Sequence, residues 1–174
     1  MVMSDSLTNN AQSISSTLFD AIVPAPFGAV GVRLTDDQQH VLILTYLLEG
    51  EAEFRGKSAL AKNAFKQIAA YLKSAKHTFD LPTIEQGTVF QNKVWREISQ
   101  IPRGDTLNYK FVGQLIGCGS PRAVGGACGA NPYPLIVPCH RVVAAGGIGG
   151  FARDDNGLHI EIKRWLLAHE GVIY

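Results

Sequence analysis

The stretch from Asn131 to Val142, Asn-Pro-Tyr-Pro-Leu-Ile-Val-Pro-Cys-His-Arg-Val, constrains this chain more than any other. Each of its three prolines removes a backbone donor and fixes φ near about −65°, so the segment is stiff before it reaches Cys139. Leu135, Ile136 and Val137 favour β structure and are apolar enough to bury. The reading is an extended, half-buried strand end holding a thiol beside the titratable imidazole of His140. A rigid thiol next to a base is a place to keep a nucleophile.

Composition narrows the setting. The 174 residues suffice for one domain or two small ones. An apolar fraction of 46% and a charged fraction of 18% are ordinary for a globular chain. No apolar run approaches the roughly 18 residues that cross a bilayer. Met1 to Ser16 is polar, without a basic start and apolar core, and reads as a loosely ordered tail rather than a signal peptide. The expected setting is cytoplasmic or nucleoid-associated, with no membrane partner.

Cys118, Cys128 and Cys139 are odd in number and contain no Cys-x-x-Cys pair, so reduced thiols are expected. His40, His77, His140, His159 and His169 are scattered, and neither a metal site nor a cofactor is expected. Cys118 and Cys128 read as small fillers, and His40, His77 and His159 as solvent-facing. The formal charge of +1 makes any basic surface local.

Ala25 to Thr35 and Val41 to Leu48 are β-rich runs around Asp36-Asp37-Gln38-Gln39, an antiparallel hairpin pattern. Ser58 to Ser74 has helical spacing, with Lys73 and Lys76 suited to a helix C-terminus. Pro82 and Gly87 break the pattern, placing a linker at 77–87 between an α/β unit (17–87) and a mainly helical one (88–174). In the latter, Thr88 caps a helix with Gln91 at the capping-box position. A second helix spans Tyr109 to Ile116, with Phe111, Val112, Leu115 and Ile116 facing inward. After Gly117-Cys118-Gly119, Ser120 caps a third helix with Pro121 at its first position. Helix, glycine turn, helix is the shape of a helix-turn-helix. Ile160 to His169 closes the chain as a helix. The fold class is α+β.

The helix after Ser120, Arg122-Ala-Val-Gly-Gly-Ala-Cys-Gly-Ala130, is nearly all small residues. Two adjacent glycines cost about 1 kcal/mol each in a helix interior, so something offsets them. Either a neighbouring helix packs closely, or the helix presses into a nucleic-acid groove with Arg122 as its one long side chain.

With these pieces together, the C-terminal half resembles the O6-alkylguanine-DNA alkyltransferases. The resemblance rests on Arg122-Ala-Val-Gly-Gly-Ala127, Asn131-Pro132, Pro134, Pro138-Cys139-His140-Arg141-Val142, Lys163, Trp165-Leu-Leu167 and His169-Glu170-Gly171. It spans roughly Thr88 to Gly171. The N-terminal half matches only in its strand, strand, helix order, which resembles that family's ribonuclease-H-like domain.

The resemblance implies repair by direct reversal. An alkyl group moves from O6 of guanine, less readily O4 of thymine, in duplex DNA onto Cys139, once per molecule. The chemistry is coherent: an alkyl carbon on an aryl-ether oxygen is a soft electrophile, and thiolate is the matching nucleophile. A free thiol with pKa about 8.5 is mostly protonated at neutral pH, and the resemblance makes His140 its base through a water, with Glu170 orienting the ring. It places Asn131 against the turn and thiol, and Tyr109 as proton donor or phosphate contact. The target atom lies inside the duplex, so the base is flipped out. The resemblance assigns minor-groove contact to Pro121, Ala123 and Gly125, with Arg122 filling the vacated stack and Tyr109 and Arg141 also on DNA. Val142, Phe151 and Pro134 would form the base pocket. Ala152 to Gly157 departs from the family's short turn there. The implied species is a monomer.

Two rivals belong to other classes. A non-catalytic lesion sensor would bind the alkylated base without reacting, but such proteins replace the cysteine that is present here. A Cys-His hydrolase would need an oxyanion hole and leaves the Arg-Ala-Val-Gly helix unexplained.

Overall fold

The computed structural model describes residues 18–47, 51–152 and 157–174. The expected tail (Met1 to Ser16) and Leu48 lie outside them. The chain divides into two compact units, one up to Ile84 and one from Glu85.

The first unit holds three antiparallel strands in the order β1 (Ala21–Ala25), β2 (Gly28–Leu34) and β3 (Val41–Leu47). The β2–β3 hairpin follows the sequence pattern, but Ala25 ends a separate strand instead of opening β2. Pro24 and Pro26 hide β1 in the sequence, since proline breaks most strand patterns. It is tolerated because β1 is an end strand of the three. The tight turn at Pro26-Phe27 closes with Ala25 opposite Gly28, and Gly28 supplies the positive φ of 128°. Helix α1 (Ala59–Lys73) packs on β1 and β2. Ser58 caps it by accepting from the Ala61 amide at 3.1 Å. Ala61, Ala64, Ile68 and Tyr71 form its buried stripe, against a core that includes Ile22, Val30, Val32 and Leu44. His77 is not solvent-facing. It is half-buried, edge-on to the Phe79 ring at 5.7 Å.

The second unit opens with α2 (Val89–Ile98), whose capping box joins Thr88 and Gln91 reciprocally at 2.8 and 3.2 Å. Trp95 on its inner face donates from Nε1 to the Ala127 carbonyl at 2.8 Å, tying α2 to α4 (Pro121–Gly129). Between them lie β4 (Leu107–Asn108) and α3 (Tyr109–Leu115), capped by Asn108. Val112 is the buried residue of the four expected to face inward; Phe111 and Leu115 are 45% and 50% exposed. A seven-residue helix carries one narrow stripe, and here it falls on Val112 and Gly113. The turn to α4 is tight: the Cys118 amide donates to the Gly113 carbonyl at 2.7 Å. Ser120 caps α4 with Pro121 at its first position. A two-residue parallel ladder pairs β4 with β5 (Val142–Val143). The closing helix α5 (Leu158–His169) starts two residues before the expected Ile160. Trp165 is only part-buried and stacks on His169 at 4.7 Å.

Two glycines should respond oppositely to a methyl group. A Cβ on Gly113 would sit 2.6 Å from the Cys118 carbonyl oxygen, whereas one on Gly126 meets nothing within 4 Å. Gly113→Ala is expected to destabilise by about 1–3 kcal/mol, and Gly126→Ala to stabilise by about 0.5–1 kcal/mol. Thermal melts of both variants test this, and equal shifts would refute the close turn.

Candidate active site

The proline-rich segment is a folded turn, not a strand end. Asn131 holds it: its Nδ2 donates to the Val137 carbonyl at 2.8 Å and its Oδ1 accepts from the Tyr133 amide at 2.9 Å. The Val137 amide closes on the Tyr133 carbonyl at 2.8 Å, and Leu135 takes a left-handed φ of 75°. Proline fixes φ but not ψ, so stiffness does not require extension.

Cys139–Arg141 is one turn of 3₁₀ helix, with the Cys139 amide on Val137 O at 2.8 Å and the Arg141 amide on Pro138 O at 3.0 Å. Successive 3₁₀ side chains diverge by about 120°. Cys139 therefore faces different surroundings from His140 and Arg141, and among the described residues no hydrogen bond joins the thiol to the imidazole. The buried thiol receives Asn131 Nδ2 at 3.3 Å. Burial pushes its pKa up, while the Asn131 bond and the Lys163 charge draw it back in part.

Behind the thiol lies a buried ionic cluster. Glu170, at the C-terminal end of α5, points its carboxylate inward with no side-chain exposure. Its Oε1 accepts from His140 Nε2 at 3.0 Å and from Arg141 Nη2 at 2.8 Å, and Oε2 from Arg141 Nε at 2.9 Å. Arg141 Nη1 also donates to the Ile101 carbonyl at 2.6 Å. Burial alone would raise the Glu170 pKa, but the His140 bond and the Arg141 guanidinium hold it well below the ordinary range. Burial lowers that of His140, with Glu170 opposing, so the ring is neutral near pH 7. A carboxylate only accepts, so Nε2 carries the proton and Nδ1 is the basic lone pair. Nδ1 has no partner among the described residues. Arg141, expected on DNA, is turned inward onto this cluster.

Lys163 has no exposed surface. Its Nζ donates to Val142 O at 2.7 Å, Gly150 O at 2.9 Å and the Tyr109 hydroxyl at 3.4 Å. Burial lowers its pKa to about 8. The Tyr109 hydroxyl in turn donates to Gly150 O at 3.0 Å. Sequence reading gave Lys163 no role, although it sits in the stripe Ile160, Ile162, Leu166, Leu167, where a lysine is out of place.

A cleft of about 490 Å³ opens onto the thiol, lined by Tyr109, Pro121, Arg122, Gly125, Gly126, Cys128, Gly129, Cys139, Gly150, Phe151 and Ala152. The structure thus gathers Cys139, Tyr109, Pro121, Arg122, Gly125 and Phe151 around one cleft. Ala123 is exposed on α4 and does not line it. Val142 and Pro134, expected in the base pocket, are buried elsewhere: packing claims the Val142 side chain, and its carbonyl serves Lys163. Cys128 is a wall residue and not merely a filler, and burial raises its pKa strongly. Of the loop 152–157, residues 153–156 lie outside the described residues. Among the described residues no three of His, Cys, Asp and Glu gather as metal ligands, and no helix is long and apolar enough to cross a membrane.

Residues 89–172 match the family described as 6-O-methylguanine DNA methyltransferase, DNA binding domain. The chain is 37% identical over 151 residues to a probable methylated-DNA–protein-cysteine methyltransferase of Acanthamoeba polyphaga mimivirus, covering 86% of this chain and 94% of that one. It is 32% identical over 148 residues to the methylated-DNA–protein-cysteine methyltransferase of Metallosphaera sedula, covering 84% and 89%. In architecture, a mixture of helices and small sheets, it resembles the O6-methylguanine methyltransferase of Mycobacterium tuberculosis, with a TM-score of 0.69 at 32% identity over 86% of this chain and 90% of that one. A structure of the M. tuberculosis protein in complex with DNA gives a TM-score of 0.68 at 31% identity, with the same coverage. With such identity over most of both lengths, the chain belongs to the methylated-DNA–protein-cysteine methyltransferase family.

Proposed function

We propose that this protein repairs DNA by moving the alkyl group of O6-alkylguanine, less readily that of O4-alkylthymine, irreversibly onto Cys139. The observation that carries the reading is a thiol on the wall of a cleft, touched by Asn131 and backed by a neutral imidazole whose Nδ1 is unclaimed by protein. The thiol proton passes through a water to His140 Nδ1, and Glu170 stabilises the imidazolium through Nε2. The thiolate attacks the alkyl carbon, the carbon–O6 bond breaks, and its electron pair stays on the guanine. Tyr109 supplies the proton the guanine takes up, exchanging its bond to Gly150 for one to the base. Lys163, 3.4 Å from the phenol, stabilises the resulting phenolate. The thioether is stable, so each molecule reacts once.

We further read α3, its glycine turn and α4 as a helix-turn-helix, with α4 in the minor groove. Its small residues allow close backbone approach, and Arg122 at the cleft replaces the flipped base. Pro121 and Gly125 contact DNA, Ala123 adds exposed surface, and Arg141 is a positioning residue for Glu170. Phe151 packs against the base. The sheet and helix of the first unit fit a small ribonuclease-H-like domain, with the linker at 77–87, and the protein acts as a monomer on duplex DNA.

Incubation with duplex DNA carrying one O6-methylguanine is expected to add one methyl group per protein by intact mass, located on Cys139 and absent from Cys139→Ala. Lesion binding without mass gain would favour a non-catalytic sensor. Arg122→Ala should slow transfer from duplex DNA at least tenfold yet leave transfer from free O6-methylguanine base unchanged. Equal losses on both substrates would remove Arg122 from base flipping.

The buried cluster sets an acid limit. The folded Glu170 carboxyl lies below its ordinary 4.5, so it contributes stability above about pH 4.5 that is lost as pH falls. His140, held below 6.5 by burial, acts in the same direction, because the unfolded chain takes up its proton first as pH drops. Glu170→Gln should cost about 3–5 kcal/mol at pH 7 and flatten the decline in melting temperature below pH 4.5. An unchanged slope would place the acid-labile group elsewhere.

A further inference from the structure

The charge of this chain is unevenly placed. Residues 54–79 carry Arg55, Lys57, Lys62, Lys66, Lys73 and Lys76 and no acidic residue, whereas the remainder carries ten basic and fifteen acidic residues. A segment this basic, in a chain of formal charge +1, is the local basic surface that the total conceals.

The helix sorts these charges. At about 100° per residue, Lys62, Lys66 and Lys73 fall within about 40° of one another around α1, and the row they form is about 16 Å long. It lies opposite the stripe of Ala61, Ala64, Ile68 and Tyr71 that packs on the sheet. All three lysines are exposed, as are Lys57 and Lys76 beyond the helix ends. Among the described residues no ion pair or hydrogen bond engages any of these five ammonium groups, whereas Arg55 is held by Glu53 and lies over the Phe65 ring. A helix face meant only for solvent mixes signs and gains from acidic–basic pairs four residues apart. Here Lys62 and Lys66 stand at that spacing as like charges, and the first turn of α1 has no acidic residue to match the helix dipole. The arrangement works against the helix's own stability, and a polyanion laid along it would relieve the repulsion.

We propose that the Lys62–Lys66–Lys73 face of α1 binds the phosphate backbone of duplex DNA, as a contact separate from the cleft and the α4 helix. The proposal deepens the repair reading, and rests on it for the choice of DNA as the polyanion. A row of flexible ammonium groups meets phosphates as point charges, and contacts of that kind position a protein on the duplex without reading its sequence. Its contribution is to affinity and salt dependence, the same for damaged and undamaged sequence.

The test uses the full-length protein, an undamaged duplex and the triple variant Lys62→Gln, Lys66→Gln, Lys73→Gln. Binding is measured over a series of salt concentrations. Each lost phosphate contact removes roughly 0.9 from the slope of log affinity against log salt, so the variant slope should be shallower by about 2–3. The triple arginine variant should restore it. Transfer from free O6-methylguanine base should be equal in wild type and the glutamine variant, which also shows that the variant is folded. An unchanged salt slope overturns the proposal, as does loss of affinity for anionic vesicles with DNA binding intact. If wild type takes no methyl group from free base or duplex, the repair reading fails by itself, and the salt slope still reports on the lysine face.

Discussion

The carboxylate of Glu170 is the fixed point on which the second unit depends. It is buried, it accepts from both His140 and Arg141, and it sits at the end of the last helix. Through Arg141 it also reaches the Ile101 carbonyl, just beyond α2. One charge thus joins the closing helix, the 3₁₀ turn and the segment after α2. Burying a carboxylate costs several kcal/mol unless its lone pairs are filled, and here two neighbours in sequence fill them. That requirement explains why the cysteine turn is helical. On a strand, His140 and Arg141 would point to opposite faces and could not share one carboxylate.

The same cluster decides the protonation pattern at the thiol. A carboxylate acceptor commits the proton of the neutral ring to Nε2, leaving Nδ1 as the basic atom. Lys163 adds a buried positive charge whose three donors are met by two backbone carbonyls and a phenol. Its charge lowers the Cys139 pKa in part but does not cancel the effect of burial. The resting Cys139 side chain is therefore a thiol.

Local punctuation was legible in the sequence because caps and turns are short-range chemistry. Thr88 with Gln91, and Ser120 with Pro121, cap as their residue types require. The pairing of His140 with the distant Glu170 was also legible, through the family motif. Tertiary competition hid the rest. The apolar run Leu135 to Val137 has β propensity, but one hydrogen bond that Asn131 donates and one that it accepts outweigh it, and Leu135 absorbs a left-handed φ. Strand β1 was masked by prolines that an end strand accommodates. Arg141 was expected on DNA, and only its carboxylate partner, far along the chain, shows it turned inward. Lys163 stood in an apolar stripe, which is the signal that could have singled it out.

A buried thiol of raised pKa would handicap an enzyme that must turn over, because each cycle would repeat the deprotonation step. On the proposed single-use reading the constraint differs: the thiol must survive unmodified until the substrate arrives. Thiolate character and exposure govern unwanted oxidation, and both are suppressed at Cys139 by burial. The cleft wall of Gly125, Gly126 and Gly129 keeps the approach open at some expense in helix stability. The site therefore combines a protected thiol with an accessible mouth, and a buried ionic cluster lies behind it.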